Sequence, residues 1–154
     1  FDIEEKHNVI NIFPYKMGER VILSSSSGNG FIINQEDMIS NRKSGKLILN
    51  IKNNERASIC KKVSGSHLVV IGENKKMLIF PLNELPLMTR GKGVRLQKYR
   101  EENILFLQTF DPEEGLIIED SSGRKRVFNN IGDWTGKRAQ AGRLVPKGFP
   151  KLTN

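Results

Sequence analysis

Short apolar runs, each bounded by polar or glycine-rich residues, recur along the chain. Met77 to Phe80 and Leu68 to Ile71 are two such runs, and the polar segment 72–76 separates them. Runs this short predict buried β-strands, because an ordinary helix needs a longer periodic pattern. The two runs therefore predict a β-hairpin. Similar runs at residues 21–23, 31–33, 57–63 and 104–110 extend the prediction to an all-β fold.

The apolar runs repeat along the chain. Gly18 and Gly65, which are 47 residues apart, each precede one unit, and a third, more diverged unit follows near Gly115. Units of about 45 residues with several short strands are typical of propeller-like blades, which bury their faces on neighbouring blades. We therefore predict a single domain with about three four-stranded blades in a partial or open ring. Its predicted parts are a closing strand of a preceding blade (1–17), repeat 1 (18–64), repeat 2 (65–110), and repeat 3 with a C-terminal tail (111–154).

A basic, glycine-rich corner occupies a similar place in each repeat. Arg90-Gly91-Lys92-Gly93 follows the strand at 77–80 and precedes a second predicted strand that runs towards Tyr99. The net charge of +8 indicates a partner that is nucleic acid or another anionic surface. No recognition helix is predicted, so we expect contacts with phosphates and no readout of bases. The candidate contact residues are Arg42, Lys43, Lys46, Arg90, Lys92, Arg95, Arg124, Lys125, Arg126, Lys137, Arg138 and Arg143.

Other kinds of chemistry have little support in the sequence. Cys60 is the single cysteine, which excludes a disulfide framework and favours a reducing compartment. His7 and His67 are 60 positions apart and have no ligand cluster beside them, so no metal site is predicted. No nucleophile elbow or P-loop lysine is present, and no apolar run is long enough to span a membrane. We expect no catalytic residue in this chain, and interpret its start at Phe1 as that of a piece of a longer protein.

Several motifs together resemble one family. Phe80-Pro81, then Glu84-Leu85, then Arg90 to Leu96 resemble the blade motif in the C-terminal domains of bacterial DNA gyrase A and topoisomerase IV A subunits. Gly136 to Arg143 followed by Lys147 to Pro150 looks like the end of the topoisomerase IV A subunit. The resemblance covers essentially the whole chain. The gyrase box, Gln-Arg-Arg-Gly-Gly-Lys-Gly, is absent, which favours the topoisomerase IV branch.

The resemblance implies a β-pinwheel, a propeller-like disc whose neighbouring blades exchange strands. Its basic rim would bind and bend double-stranded DNA and present it for strand passage. The implied partners are the B subunit of a heterotetramer and the N-terminal part of the same subunit. The parent enzyme would use ATP and Mg²⁺, this domain would hold no cofactor, and the location would be the nucleoid in the cytoplasm. The catalytic tyrosine would lie outside this chain, because neither Tyr15 nor Tyr99 has a matching context.

A second interpretation stays open from the residues alone. A protein-interaction propeller could carry the same charge in order to bind an acidic partner. It predicts no preference for DNA over another polyanion, and it predicts an exposed apolar patch on a face of the disc.

Overall fold

The computed structural model describes residues 19–38, 57–120 and 122–150. The regular secondary structure of these parts is mostly β-strand, with short 3₁₀ turns at Leu82–Glu84 and Gly132–Trp134. Residues 35–38 are helical. The strands are β1 (Arg20–Ser25), β2 (Asn29–Asn34), β3 (Ala57–Lys62), β4 (His67–Gly72), β5 (Lys76–Pro81), β6 (Val94–Arg95), β7 (Ile104–Phe110), β8 (Leu116–Glu119), β9 (Lys125–Phe128) and β10 (Arg143–Leu144). The all-β prediction is confirmed. The predicted closing strand in 1–17 lies outside the described residues.

Two four-stranded antiparallel sheets have the same order of strands. The first sheet runs β3-β1-β2-β6 and the second runs β7-β4-β5-β10. In each sheet a long hairpin is flanked by a third long strand on one side and by a two-residue strand on the other. The two-residue strand comes from the following sequence repeat, so the expected exchange of strands is confirmed. The third repeat contributes the two-stranded hairpin β8-β9 to the described residues.

The second strand of the central stretch is much shorter than its sequence predicts. A strand was expected to continue from Val94 towards Tyr99, but β6 ends at Arg95. The next two residues, Leu96 and Gln97, are both fully buried. Two consecutive buried side chains break the alternation of a strand that has one solvent-exposed face, so the chain leaves the sheet at this point.

The chain divides into two compact units. The first unit contains the chain up to Val63 together with Leu85–Arg95, and the second contains Ser64–Glu84 together with the chain from Leu96 onward. In the first unit Phe31 and Cys60 belong to the buried core. In the second unit Trp134 packs against the core and its indole N–H donates to the Leu144 carbonyl at 2.9 Å. Trp134 is therefore a packing residue of the second unit.

Candidate nucleic-acid interface

Each compact unit contains one segment that comes from the following sequence repeat and pairs with the edge of its sheet, and each segment carries a predicted basic corner. We call residues 85–95 the first crossing segment and residues 132–144 the second. Leu87 forms a parallel bridge with Ile32 in the centre of β2, and Thr135 forms the same bridge with Ile79 in β5. Each segment ends as the two-residue edge strand, β6 or β10. The basic corners therefore lie between a bridge and a sheet edge, where side chains are accessible.

A glycine fixes each crossing segment against the neighbouring strand. Gly93 and Gly142 have φ angles of 80° and 81°, a region that favours glycine. A Cβ atom on Gly93 would lie 2.3 Å from the Gly30 carbonyl oxygen, and one on Gly142 would lie 2.4 Å from the Met77 carbonyl oxygen. No side chain fits at either position. The close approach of backbone to backbone therefore determines where each corner sits.

The cations of the first crossing segment are all accessible. Arg90, Lys92 and Arg95 are exposed, and Gly91, between the first two, has a φ of 138°. Arg95 lies in β6 opposite Asn29 of β2. The predicted corner thus presents three cations on one segment of six residues, which suits contact with successive phosphates of a polyanion.

The cations of the second crossing segment are held differently. Lys137 and Arg143 are exposed, whereas Arg138 is half-buried. The backbone N–H of Arg138 donates to a carboxylate oxygen of Glu84 at 2.8 Å. Ala139 follows with a φ of 72°, the counterpart of Gly91 in the first segment. Both turns therefore have a residue of positive φ four positions after the bridge, but the φ values differ, and one cation of the second turn is closer to the protein interior.

The remaining candidates lie on the β8-β9 hairpin or outside the described residues. Arg124 and Lys125 are exposed at the start of β9. Arg126 is exposed too, but its guanidinium donates to the Gly148 carbonyl and lies 5.3 Å from the centre of the Phe128 ring. Arg126 therefore has a structural contact that its sequence does not reveal. Arg42, Lys43 and Lys46 are in the part of the chain that the structure does not describe.

The hairpin loop that presents Arg124 is organised by Asp120. Its carboxylate accepts hydrogen bonds from the Ser122 hydroxyl at 2.6 Å and from the Arg124 backbone N–H at 2.9 Å. The hydrogen bond from the Ser122 side chain, followed by that from the Arg124 backbone, lowers the pKa of Asp120. The carboxylate is thus ionised at neutral pH and fixes the loop without occupying the Arg124 side chain.

Sequence reasoning missed a polar residue that attaches the second crossing segment to its sheet. Gln97 is fully buried, and its side-chain amide donates to the Lys76 carbonyl at 3.0 Å and the Ala141 carbonyl at 2.9 Å. A lone glutamine beside a basic corner gives no signal of burial. Only the two carbonyl groups that the folded chain places beside it explain its position.

Three further observations concern metal ligands, membrane-spanning helices and exposed apolar side chains. Within the described ranges, no group of three or more histidine, cysteine, aspartate or glutamate residues could hold a metal ion. No helix there is long and apolar enough to span a membrane. Exposed apolar side chains are few in these ranges: Ile117 and Val127 face each other across the β8-β9 hairpin, and Leu87 and Leu144 lie on the crossing segments.

Known proteins of one family are similar in sequence to this chain. Residues 66–106 match the family model described as DNA gyrase C-terminal domain, beta-propeller. The chain is 47% identical to the A subunit of DNA topoisomerase 4 from Caulobacter vibrioides over 96% of its length, which is 19% of that protein. It is 36% identical to the same subunit from Rickettsia conorii over 94% of its length and 20% of the relative's. The chain thus spans about one fifth of these curated relatives.

Solved structures agree on the fold. The Escherichia coli ParC C-terminal domain superposes with a TM-score of 0.70 at 17% identity, over 91% of this chain and 60% of that one. The C-terminal domain of a DNA topoisomerase IV gives a TM-score of 0.66 at 18% identity, over 90% of this chain and 46% of that one. The strand order and the crossing segments define a β-pinwheel domain of the gyrase type. The chain belongs to the family of gyrase A and topoisomerase IV A C-terminal domains, and its similar relatives are topoisomerase IV A subunits.

Proposed function

We propose that this chain is the non-catalytic DNA-binding domain in the A subunit of a type II topoisomerase, topoisomerase IV. It binds double-stranded DNA through its basic corners and bends it, so that a segment is presented for strand passage. The observation that carries the proposal is the recurrence of a glycine-fixed basic corner in both compact units. A corner whose backbone is fixed holds its cations in place before DNA arrives.

The chemistry of the corners suits phosphates and not bases. Each lysine or arginine beside a phosphate releases condensed counterions, which gives affinity that depends steeply on salt and not on sequence. The described residues contain no long helix that could enter the major groove. Bending a short duplex costs roughly 1–6 kcal/mol by elastic estimates. Several phosphate contacts must offset this cost, and the exposed cations of both units support that requirement.

The catalytic groups are proposed to lie in other parts of the parent enzyme. The family implies that the catalytic tyrosine, ATP and Mg²⁺ belong to other parts of a heterotetramer in the nucleoid of the cytoplasm, formed with the B subunit and with the N-terminal part of this polypeptide. In the described residues Tyr99 is largely buried and its hydroxyl has no hydrogen-bond partner. A nucleophilic tyrosine needs an accessible hydroxyl and an activating neighbour, so Tyr99 is unsuited to that role.

Two measurements on the same protein preparation test the proposed function. The chain is titrated with an unlabelled duplex of unrelated sequence over a series of salt concentrations, and with a duplex that carries a donor and an acceptor dye at its ends. We expect log affinity to fall linearly with log salt and energy transfer to rise on binding. Binding that stays unchanged at high salt, or a duplex that stays straight, would contradict the proposal.

The interaction-module alternative is tested by competition. If the charge serves an acidic protein partner, polyglutamate of matched charge will compete as well as duplex DNA does. Exposed apolar residues give this alternative limited support, since Ile117 and Val127 are a single cross-strand pair. We expect DNA to compete much more strongly than polyglutamate.

A further inference from the structure

We propose a second phosphate-binding site, a cleft of the second compact unit lined by Lys76, Lys98 and Arg100. The inference rests on the proposed function and adds cations that the sequence did not mark as contacts. The cleft encloses about 170 Å³, and Asn74, Tyr99, Glu102 and Ala141 complete its walls. These residues come from the β4-β5 hairpin, from the chain after β6 and from the second crossing segment.

The packing of Tyr99 positions the chain segment that carries two of these cations, Lys98 and Arg100. Gly72 lies against the tyrosine ring, and a Cβ atom at Gly72 would be 2.6 Å from Tyr99 Cε1. The missing side chain at Gly72 thus makes the space that Tyr99 fills. With Tyr99 turned inward, its neighbours Lys98 and Arg100 are exposed on either side. One largely buried aromatic residue therefore anchors the segment that carries the two charged ones.

The charge of the cleft favours an anion. Among the described residues, neither Lys76 nor Lys98 forms an ion pair within 4 Å. Glu102 is the single acidic residue that lines the cleft. Its carboxylate accepts hydrogen bonds from the backbone N–H groups of Arg100 at 2.8 Å and Glu101 at 3.1 Å. Because those backbone hydrogen bonds fix its carboxylate, Glu102 shapes the cleft wall. Three cations and one carboxylate leave a net positive charge for a phosphate.

The cleft borders the second crossing segment. The Lys98 backbone N–H donates to the Gln140 carbonyl at 3.0 Å, and the Ala139 N–H donates to the Leu96 carbonyl at 3.0 Å. Duplex DNA carries one charge for about every 1.7 Å of its axis. A duplex held at Lys137 therefore brings further phosphates towards the cleft. The second unit would then contact DNA through two adjoining groups of cations.

Single and double lysine substitutions test the site. We expect Lys98→Ala to lower the slope of log affinity against log salt by about 0.9. Lys76→Ala with Lys98→Ala should lower it by more than about 0.9 and at most about 1.8, because Lys76 lines the cleft but is half-buried. Lys147→Ala is the matched control, because Lys147 is an exposed lysine of the same unit that does not line the cleft. Circular dichroism of every variant verifies that it is folded. Unchanged slopes in the cleft variants, or equal losses in Lys98→Ala and Lys147→Ala, overturn the proposal.

A second readout detects the contact directly. Acetylation of lysines with and without duplex, followed by mass spectrometry, should show protection of Lys76 and Lys98 by DNA and none of Lys147. Glu102→Gln should raise affinity, by about fivefold at most for one charge near 4 Å in water. Lysines that stay equally reactive overturn the cleft while leaving the proposed function intact. A wild-type chain that does not bind duplex DNA overturns the proposed function, and the cleft with it.

Discussion

The two crossing segments, residues 85–95 and 132–144, follow the same path along the edges of different sheets. They nevertheless place their charged residues at different positions. Leu87 and Thr135 bridge equivalent positions, and Gly93 and Gly142 meet equivalent carbonyl groups at nearly the same φ. Between bridge and glycine, however, the second segment is one residue longer. Within the edge strands, Arg143 pairs at the position equivalent to Val94 and not to Arg95.

This difference separates two kinds of constraint. The glycines repeat because a Cβ atom would lie 2.3 Å from a backbone carbonyl oxygen at Gly93 and 2.4 Å from one at Gly142, which leaves no room for a side chain. The cations shift by a residue because a long, flexible side chain reaches a phosphate from several neighbouring positions, and counterion release does not depend on exact geometry. The fold therefore determines where the corner sits, while the function requires only that charge is near it.

The largest effect is expected from filling the space at the repeated glycine. Gly142→Ala should lower the free energy of unfolding by about 2–5 kcal/mol, because it adds overpacking to the cost of a left-handed backbone. Urea unfolding followed by Trp134 fluorescence measures the change, since the Trp134 indole binds the Leu144 carbonyl in the same segment.

A glycine with the same backbone but free space supplies the control. Gly148 has a φ of 79°, and a Cβ atom there would meet nothing within 4 Å. Gly148→Ala should therefore cost only about 1–2 kcal/mol, the backbone part alone. Gly93→Ala should match Gly142→Ala when unfolding is followed by circular dichroism. A Gly93→Ala variant as stable as wild type would break the equivalence of the two crossing segments.

The next effect tests the glutamine that attaches the second crossing segment. Gln97→Ala removes the donor for the Lys76 and Ala141 carbonyl groups and leaves a cavity. We expect a loss of about 2 kcal/mol in the free energy of unfolding, measured in urea.

Gln108 is the matched control for that substitution. Its side-chain amide donates to the Ile117 carbonyl alone, in an exposed setting. Gln108→Ala should cost about 1 kcal/mol or less. Equal losses at the two glutamines would mean that burial and the second hydrogen bond of Gln97 add nothing.

The cations of the two segments are expected to differ in their contribution to DNA binding. Arg90→Ala with Lys92→Ala should lower the slope of log affinity against log salt by up to about 1.8, because both side chains are exposed. Lys137→Ala with Arg138→Ala should lower it by about 0.9, since Arg138 is half-buried. Equal slopes for the two double variants would show that burial of Arg138 does not limit its contact.

The sequence predicts local structure well and tertiary partners poorly. The apolar runs of β4 and β5 and the 47-residue offset predict the hairpins, because burial and chain reversal leave local signals. Residues alone do not show whether Val94–Arg95 joins its own repeat or the preceding sheet, since both edges offer the same backbone groups. The strand exchange came from the resemblance. Gln97 was missed, and the structural contact of Arg126 was not foreseen, because the partners of both side chains are distant in sequence.

The smallest effect on stability at neutral pH is expected from a substitution of Tyr99. The same substitution should have a larger effect at high pH. Tyr99→Phe removes a buried hydroxyl that has no partner among the described residues and with it the desolvation cost of that hydroxyl, so the free energy of unfolding should rise, by about 1 kcal/mol or less. Burial, then the carboxylates of Glu102 and Glu73, raises the pKa of Tyr99. The unfolded chain therefore loses this proton first, near its ordinary pKa of about 10, and wild-type stability should fall as pH rises further. Urea titrations from pH 9 to 11.5 should show a shallower decline for Tyr99→Phe. Parallel curves for the two proteins would mean that the folded chain exposes this hydroxyl and that Tyr99 does not anchor Lys98 and Arg100.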